Sequence, residues 1–545
     1  MHSKKGLILC IWLIFIAYLF SFLLTTSSDL TQDLGRHLKL GEIIMQTKSV
    51  PTTNLLSYTY PDFPFINHHW FSEVILSIFQ QSLGLNSLIL LKAVIIILAI
   101  AIAIIASGSF WGFGVAFFIS PLILERADIR PEIFGFLAFS LLLLELRRVQ
   151  KTKTLSVYIP IIFLLWVNIH ISFAVGLFLV GILFLVAPKS KRNIVVFVSS
   201  ILVLFINPNG VQGALAPFTI FRNYGYSIVE NQNMLFLSSL MNDIFIRGYF
   251  ISLPFTIVAL CILFLKKKYI FSFLLLFFSL LALYQVRHLP FYVLTVIALA
   301  PTALVDLHVP MKPTIRKGLS LIFIYFLLAG TIFFGSNLFF ETFDINKSFG
   351  FGYEMQNSKV FSFLKKYKRE GAIFNNFDIG SYLSYGLYPG VKVFVDGRPE
   401  AYPSSFFQNI YIPLQEDQEK QDTFFKQYDI HTIVFSHTDQ TPWGSSFLIR
   451  TLQNKQWKLL YFDTVFVIFS DAQNATDIRN TDAFMQQIDK EERFFSLIHY
   501  VSLLGAMGQE TKAMQLLQKV YLLRPNSCSL IRMRQRQFSA PWCIF

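Results

Sequence analysis

The chain of 545 residues is 54% hydrophobic and 14% charged, with a mean hydropathy of +0.53, which is too apolar for a series of soluble domains and excludes disordered, collagen-like and coiled-coil proteins. Four cysteines exclude a disulfide scaffold. The net charge of +13 lies almost wholly before residue 341, where 24 Lys and Arg stand against 12 Asp and Glu, so it reflects loops between membrane segments rather than nucleic-acid binding.

Eleven apolar runs in the first 340 residues have the length that a bilayer core of about 30 Å requires. They predict membrane-spanning helices at 7–26, 85–106, 109–124, 132–146, 155–170, 172–187, 193–207, 248–265, 269–285, 289–306 and 318–340. No small-residue cleavage site follows the first run, so it is predicted to stay in place as an anchor. The predicted fold class is an α-helical polytopic membrane protein.

Lysine and arginine cluster in alternate loops between the predicted spans. The fifteen residues concerned are Lys4, Lys5, Arg147, Arg148, Lys151, Lys153, Lys189, Lys191, Arg192, Lys266, Lys267, Lys268, Lys312, Arg316 and Lys317. Short basic loops stay on the cytoplasmic side of a membrane. The pattern predicts a multi-pass protein of the cytoplasmic (inner) membrane whose N-terminus is cytoplasmic and whose chain after 340 is extracytoplasmic.

Three regions are predicted. A transmembrane domain covers 1–340 and includes a large first external loop, 27–84, whose end at 70–84 has the helical spacing of an interfacial helix. A small α/β domain covers 341–475, because the β-like runs 371–377, 392–397, 431–436 and 459–470 alternate with helical patterns. Residues 476–545 form a tail with a helical hairpin that resembles one tetratricopeptide repeat.

Two cysteines of the tail, Cys528 and Cys543, would share an oxidising compartment under this topology. The sequence leaves two alternatives open for them, a disulfide bond or two unpaired thiols.

Ionisable and amide side chains gather at the predicted external ends of the spans. They are Glu125, Asp128, Arg130, Asn168, His170, Arg287 and His288, and the first external loop adds Asp33, Arg36, His37, His68, His69 and Glu73. Such groups are costly at membrane depth unless they face a cavity or each other, so the collection predicts a site. For any single residue the alternative is a local role, as an interfacial hydrogen-bonding group or a helix cap.

The chemistry of this collection suits transfer from a phosphate-linked donor. A carboxylate can act as a general base or hold a divalent cation such as Mg or Mn, while arginine and histidine can neutralise a phosphate leaving group. The sequence has no zinc-protease spacing and no Walker or dinucleotide glycine motif, which argues against a zinc protease and an ATP-driven pump.

A series of motifs resembles one known family. The motifs are DLGRHLKLGE (33–42), VPTTNLLSYT (50–59), NHHWFSE (67–73), RPE (130–132), WVNIH (166–170), NPNG (207–210), RHLPF (287–291) and FNNFDIGSYLSYGLYPGVKVFVDGR (374–398). In this order they are similar to bacterial membrane proteins of the GT-C glycosyltransferase superfamily, in its protein-mannosyltransferase-like group, over residues 1–470.

The resemblance implies a hexosyltransferase that takes a sugar from a polyprenyl-phosphate-linked donor and passes it to a glycan, lipid or protein acceptor. It implies that the catalytic acid is Asp33, with Glu125 or Asp128 as a second acid and all three as candidate metal ligands. Under this hypothesis Arg130, Arg287 and His288 hold the lipid phosphate. The other predicted substrate-binding residues are Arg36, His37, His68, His69, Glu73, Asn168 and His170.

Two other classes of function remain as alternatives. A transporter or flippase of lipid-linked saccharides would place polar residues at the bilayer midplane and repeat its fold in two halves, whereas here the polar residues gather at one boundary. A non-catalytic scaffold for envelope assembly could use DGR (396–398), for which the simpler interpretation is a strand-end turn with a structural ion pair.

Overall fold

A computed structural model describes residues 2–27, 33–219, 224–226, 229–240, 243–307, 313–353, 358–367, 371–439, 441–479 and 481–524. The helices of the membrane half are α1 (His2–Leu23), α2 (Gly35–Thr47), α3 (Trp70–Leu83), α4 (Ser87–Ser107), α5 (Trp111–Ile119), α6 (Glu132–Thr152), α7 (Ile159–Val167), α8 (Phe173–Val186), α9 (Lys191–Leu202), α10 (Gly210–Thr219), α11 (Met234–Leu240), α12 (Ile244–Leu265), α13 (Tyr269–Tyr284), α14 (Leu289–Asp306), α15 (Pro313–Gly335) and α16 (Leu338–Thr342). Short 3-10 helices lie at Ser120–Arg126, Val203–Phe205, Val229–Asn231 and Val286–His288.

The remaining helices belong to the C-terminal part. They are α17 (Val360–Lys366), α18 (Phe377–Leu387), α19 (Ser404–Phe406), α20 (Ile412–Glu416), α21 (Gln418–Gln427), α22 (Pro442–Gln453), α23 (Asp482–Asp489), α24 (Phe494–Ala506) and α25 (Glu510–Leu523). A 3-10 turn at Pro399–Ala401 and a π-helical turn at Phe407–Tyr411 complete the set.

Several helices of the described chain are long and apolar enough to cross a membrane. Five meet this description, namely Gly6–Leu23, Ser87–Ser107, Ile244–Leu265, Val286–Asp306 and Gly318–Gly335. A sixth span results if Lys191–Phe205 and Gly210–Phe218, which meet at 104°, are counted as one. These helices are those of a multi-pass membrane protein, as the sequence predicts.

The predicted number of eleven spans is not confirmed, although a helix lies at each predicted place. Helices α5 and α7 have nine residues each, which at 1.5 Å per residue cover about 14 Å, less than half of a bilayer core. Helix α6 is long enough but carries Glu145, Arg147 and Arg148 in its second half.

Helix α14 lies at the centre of the membrane half. Every residue from Leu289 to Ala303 is buried, and the helix packs against α4, α5, α12 and α13. An apolar helix that is covered on all sides belongs to the interior of a bundle. Its position brings Arg287 and His288, which directly precede it, to the middle of one end of the bundle.

The C-terminal part contains a four-stranded sheet of β1 (Ala372–Asn375), β2 (Ile430–Ser436), β3 (Lys458–Phe462) and β4 (Phe466–Ser470). The strand order is β1-β2-β4-β3, with β1 parallel to β2 and the other pairs antiparallel. The predicted run 459–470 is therefore a hairpin, because Asp463 accepts the backbone N–H groups of Val465 and Phe466 and turns the chain.

The predicted strand 392–397 is an extended segment outside the sheet. Val393 bridges to Ser57 of the first external loop, and its carbonyl oxygen accepts the N–H of Tyr58. The β-like pattern of this run is thus satisfied by a partner from the membrane half, which no local rule could anticipate.

The tail contains the predicted helical hairpin. Helices α24 and α25 pack together around a turn at Gly508, whose φ is 75°. Tyr500 of α24 contacts Phe462 of β3 with ring centroids 5.9 Å apart, so the hairpin and the sheet share one hydrophobic core. Cys528 and Cys543 lie outside the described residues.

A buried ion pair joins the C-terminal part to the first external loop. Arg398 and Asp396 are fully buried and bonded to each other at 2.6 Å and 2.8 Å. Arg398 also donates to the side-chain oxygen of Asn54 at 2.7 Å and lies over the ring of Phe65. The geometry agrees with the structural interpretation of DGR, because both charged side chains of the motif are buried and paired with each other.

Candidate functional site

Helices α2 and α3 pack closely against each other and carry His37 and Glu73 of the site. A Cβ atom at position 41 would lie 2.1 Å from the carbonyl oxygen of Glu73, so glycine is required for the two helices to approach this closely. His37 lies four residues before Gly41, about one helical turn, and therefore shares its face of α2. This packing brings the His37 ring to the Glu73 carboxylate.

The Glu73 carboxylate is buried and bonded on both sides. One oxygen lies 2.9 Å from Nδ1 of His37, and the other accepts from the side-chain amide of Asn67 at 2.7 Å. Burial raises the pKa of Glu73 to about 7, although the Asn67 hydrogen bond and the charge of Arg36 act in the opposite direction. A carboxyl group in this setting changes its charge near neutral pH.

Four histidines form a compact cluster beside Glu73. The ring of His69 lies 4.1 Å from that of His68, 5.2 Å from that of His37 and 5.3 Å from that of His170, measured between centroids. Burial lowers the pKa of His37 and His69 well below the usual value, and that of His68 to about 4. At neutral pH these three imidazoles are uncharged, which is the state that binds a metal ion.

One group among the described residues can hold a metal ion. Ligand atoms of His37, His69 and Glu73 all lie within 4.8 Å of one another. Nδ1 of His69 is buried and has no hydrogen-bond partner within the described chain. A buried nitrogen atom without a partner is available to coordinate a metal ion.

Four guanidinium groups face the same space as the histidines. Arg36 donates to Asp33 at 3.1 Å, and Arg130 lies 3.7 Å from the same carboxylate. Nη1 of Arg36 is buried without a hydrogen-bond partner among the described residues. The other two groups are Arg126, which pairs with Glu132 and Glu230 at 2.7 Å, and Arg287, which donates to the amide oxygen of Asn231 at 2.8 Å.

These groups line a cavity of about 720 Å³ between the membrane half and the C-terminal part. Eight of the eleven predicted catalytic and substrate-binding residues reach it, namely Asp33, Arg36, His37, His68, His69, Arg130, His170 and Arg287. The structure therefore collects side chains from four separate connections of the membrane half into one space.

The other three predicted residues lie near the cavity without lining it. Glu73 lies behind His37 and supports its ring. Asn168 accepts from the indole N–H of Trp70 at 2.8 Å and donates to two backbone carbonyls, so it ties loops together. His288 directly precedes α14, and its ring lies 6.1 Å from that of Phe291 between centroids.

The predicted metal ligands Asp33, Glu125 and Asp128 are engaged separately. Asp33 is paired with arginine as described, and Asp128 pairs with Lys347 at 2.9 Å. Glu125 does not line the cavity, and burial together with Asp243 raises its pKa to about 8, so it is mostly protonated at neutral pH. Among the described residues, the group whose ligand atoms lie close enough together to hold a metal ion is His37, His69 and Glu73.

The sequence analysis missed the opposite wall of the cavity, which the C-terminal part supplies. Asp378 follows β1 and Asp439 follows β2, so these acids meet at one edge of the sheet where the two parallel strands end. The Asp378 side chain lines the cavity and is exposed to it. Burial by the surrounding protein and the charge of the Asp439 carboxylate raise the pKa of Asp378 to about 7. The signal available in the sequence was the acid that follows each of two β-like runs.

Comparisons with known proteins identify the fold. No family model and no curated protein matches the chain. Among solved structures it is similar to the oligosaccharyltransferase AglB from Archaeoglobus fulgidus in complex with an inhibitory peptide and a dolichol-phosphate, at 11% identity and a TM-score of 0.52, covering 99% of this chain and 87% of that one.

The apo form of the Archaeoglobus fulgidus oligosaccharyltransferase is similar at 12% identity and a TM-score of 0.51, covering 86% of this chain and 75% of that one. The predicted fold, a helical membrane half followed by a C-terminal part with a small sheet, is therefore confirmed, and it is similar to the fold of these oligosaccharyltransferase structures. At this identity the likeness concerns the fold alone.

Proposed function

We propose that this protein is a membrane glycosyltransferase that moves a sugar from a polyprenyl-phosphate-linked donor to an acceptor. The observation that carries the proposal is the single cavity in which Asp33, several arginines and neutral histidines converge at one end of the transmembrane helices. The AglB structure of the same fold was solved with a dolichol-phosphate, a lipid of the proposed donor class.

In the proposed reaction an acceptor hydroxyl attacks the anomeric carbon of the donor sugar. The new bond joins the acceptor oxygen to that carbon, and the bond between the carbon and the phosphate oxygen breaks. Asp33, whose side chain is 20% exposed to the cavity, takes the proton of the acceptor hydroxyl. The lipid phosphate leaves with the electron pair and is stabilised by arginine side chains.

The side of the membrane on which the site works follows from the basic residues. Helix α12 begins at the capping residue Asp243 and ends beside Lys266, Lys267 and Lys268, and α6 ends beside Lys151 and Lys153. Because such basic ends stay in the cytoplasm, we infer that the cavity at the opposite ends opens to the extracytoplasmic side of the inner membrane.

The test of the proposed function is a comparison of cells with and without the protein. Mass spectrometry of lipids and wall glycans is expected to show one glycan that lacks a sugar when the protein is missing, together with accumulation of the matching polyprenyl-phosphate sugar. An unchanged set of glycans and lipids would contradict the proposal.

Arg287 is the residue best placed to hold the donor phosphate. It lines the cavity, and its hydrogen-bond partner within the described chain is the neutral amide of Asn231, so its charge remains available for an anion. Arg287→Gln is expected to raise KM for the donor about 10- to 100-fold, since a hydrogen bond to a charged group contributes about 1.5 to 3 kcal/mol. Arg493→Gln, on the surface of the C-terminal part, is the control and should leave KM unchanged.

A divalent metal would be held by His37, His69 and Glu73. Two imidazoles and one carboxylate suit zinc and similar transition metals better than the Mg or Mn expected from carboxylates alone. When bound, such an ion would supply positive charge near the sugar and the leaving phosphate.

Metal content tests this assignment directly. Purified protein is expected to contain about one transition-metal ion per chain by elemental mass spectrometry. His69→Ala is expected to lose most of it, whereas His431→Ala, a half-exposed histidine of the C-terminal part, should keep it. Equal metal content in the two variants would rule out the His69 ligand.

A further inference from the structure

A short helix of the chain covers three of the cavity arginines. Glu230 and Asn231, consecutive residues of the 3-10 helix Val229–Asn231, both line the cavity. One carboxylate oxygen of Glu230 lies 2.7 Å from Nη1 of Arg126 and also contacts Nη1 of Arg130. Asn231 accepts from Arg287. Glu230 therefore caps Arg126 and Arg130 with a negatively charged carboxylate, and Asn231 caps Arg287 with a neutral amide.

The charge state of the cap follows from these contacts. Burial disfavours ionisation, but the charges of Arg130 and Arg126 outweigh it and hold the pKa of Glu230 below its usual range. Glu230 is thus an ionised carboxylate between two guanidinium groups. Carboxylate and phosphate oxygens use the same donor geometry on arginine, so the place that Glu230 fills can also take a phosphoryl group.

Three features favour a replaceable cap over a permanent ion pair. The Glu230 side chain is 24% exposed, whereas those of Arg126 and Arg130 are 5% and 11% exposed. Arg126 keeps a second carboxylate, Glu132, at 2.7 Å, and Arg130 keeps Asp33 at 3.7 Å. If Glu230 leaves, each arginine retains one acidic partner and gains a position for an incoming anion.

The two capped positions are neighbours. Arg126, Arg130 and Arg287 line the same cavity, and the charges of Arg126 and Arg130 act on that of Arg287, so the positions capped by Glu230 and by Asn231 adjoin within it. One position is the Arg287 site that the proposed function assigns to the donor phosphate. The other is the Arg126–Arg130 site, which has no assigned ligand.

We propose that Arg126 and Arg130 form a second phosphate subsite, that Glu230 holds it until the donor arrives, and that the donor is therefore a polyprenyl-diphosphate sugar rather than a monophosphate. The inference rests on the proposed function, because it places the first phosphate at Arg287. The second phosphate of the donor displaces the Glu230 carboxylate and takes its hydrogen bonds from the two arginines.

The test uses the full-length protein in detergent and two probes, inorganic phosphate and inorganic pyrophosphate, titrated by calorimetry. The wild type is expected to bind pyrophosphate at least about fivefold more tightly than phosphate. Glu230→Gln removes the competing charge and is expected to tighten pyrophosphate about tenfold while changing phosphate less than twofold, a gain of about 1.4 kcal/mol for pyrophosphate. Glu341→Gln, an exposed acid of α16, is the matched control and should behave as wild type.

The outcomes separate the two proposals. If phosphate binding is lost in Arg287→Gln but pyrophosphate shows no advantage in the wild type, the second subsite is wrong and the donor phosphate site stands. The same holds if Glu230→Gln weakens pyrophosphate binding or leaves it unchanged. If no variant binds either anion, both the second subsite and the phosphate site at Arg287 are wrong. The comparison of pyrophosphate with phosphate binding to the wild-type protein does not depend on the folding of any variant.

Discussion

Asp33→Asn is expected to reduce sugar transfer at least about 100-fold, which is the lower part of the range for loss of a general base. The substitution keeps the size of the side chain and one oxygen that can accept from Arg36, so the protein should reach the membrane in normal amount. Release of the lipid phosphate from a polyprenyl-linked sugar, measured with purified protein, gives the rate, and immunoblotting of membranes gives the abundance.

The matched control is Asp62→Asn, an exposed acid of the same external loop that does not line the cavity. It should retain the full rate. If Asp33→Asn and Asp62→Asn were equally active, Asp33 would have no part in the reaction, and the neighbouring pair of Glu73 and His37 would be the next candidate for the base.

The second large effect concerns stability and is expected for Arg398→Ala. This change leaves the Asp396 carboxylate fully buried without its partner, and breaking a buried ion pair on one side costs about 3 to 5 kcal/mol. The hydrogen bond to Asn54 is lost as well, so the C-terminal part also loses a connection to the first external loop. Thermal unfolding of the purified protein is expected to occur at a clearly lower temperature.

Two further variants distinguish the loss of the buried ion pair from a general loss of stability. Arg493→Ala breaks the pair of an exposed arginine side chain with Glu491 and should cost less than about 1 kcal/mol. The double variant Asp396→Asn with Arg398→Met removes both charges and is expected to recover part of the lost stability. An Arg398→Ala protein as stable as Arg493→Ala would show that the buried pair is not a main support of this junction.

Part of the candidate site could be predicted from residue patterns in the sequence. Asp33, His37, His69 and Arg287 could be selected because ionisable groups at membrane depth are costly without a cavity or partners, and the structure places all four around one cavity. Glu73 was selected with them, but its position behind His37 depends on the close contact at Gly41.

The groups that sequence analysis missed depend on contacts between distant parts of the chain. Glu230 matters because its helix lies on Arg126 and Arg130, which are about 100 residues earlier in the chain. Asp378 and Asp439 become cavity residues because the sheet brings the ends of β1 and β2 together on the side that faces the membrane half. No periodicity or composition in the flanking residues encodes these encounters.

Local hydrophobicity and charge were enough to predict a multi-pass helical protein with a distinct C-terminal α/β part, because burial of apolar runs and the placement of basic loops are properties of short segments. They were not enough to count the spans, since apolar helices such as α5 and α7 are shorter than a bilayer core requires. Tertiary packing alone decided which acids stay paired, which histidines can share a metal and which carboxylate covers the arginines, because each of these depends on distances between residues far apart in the chain.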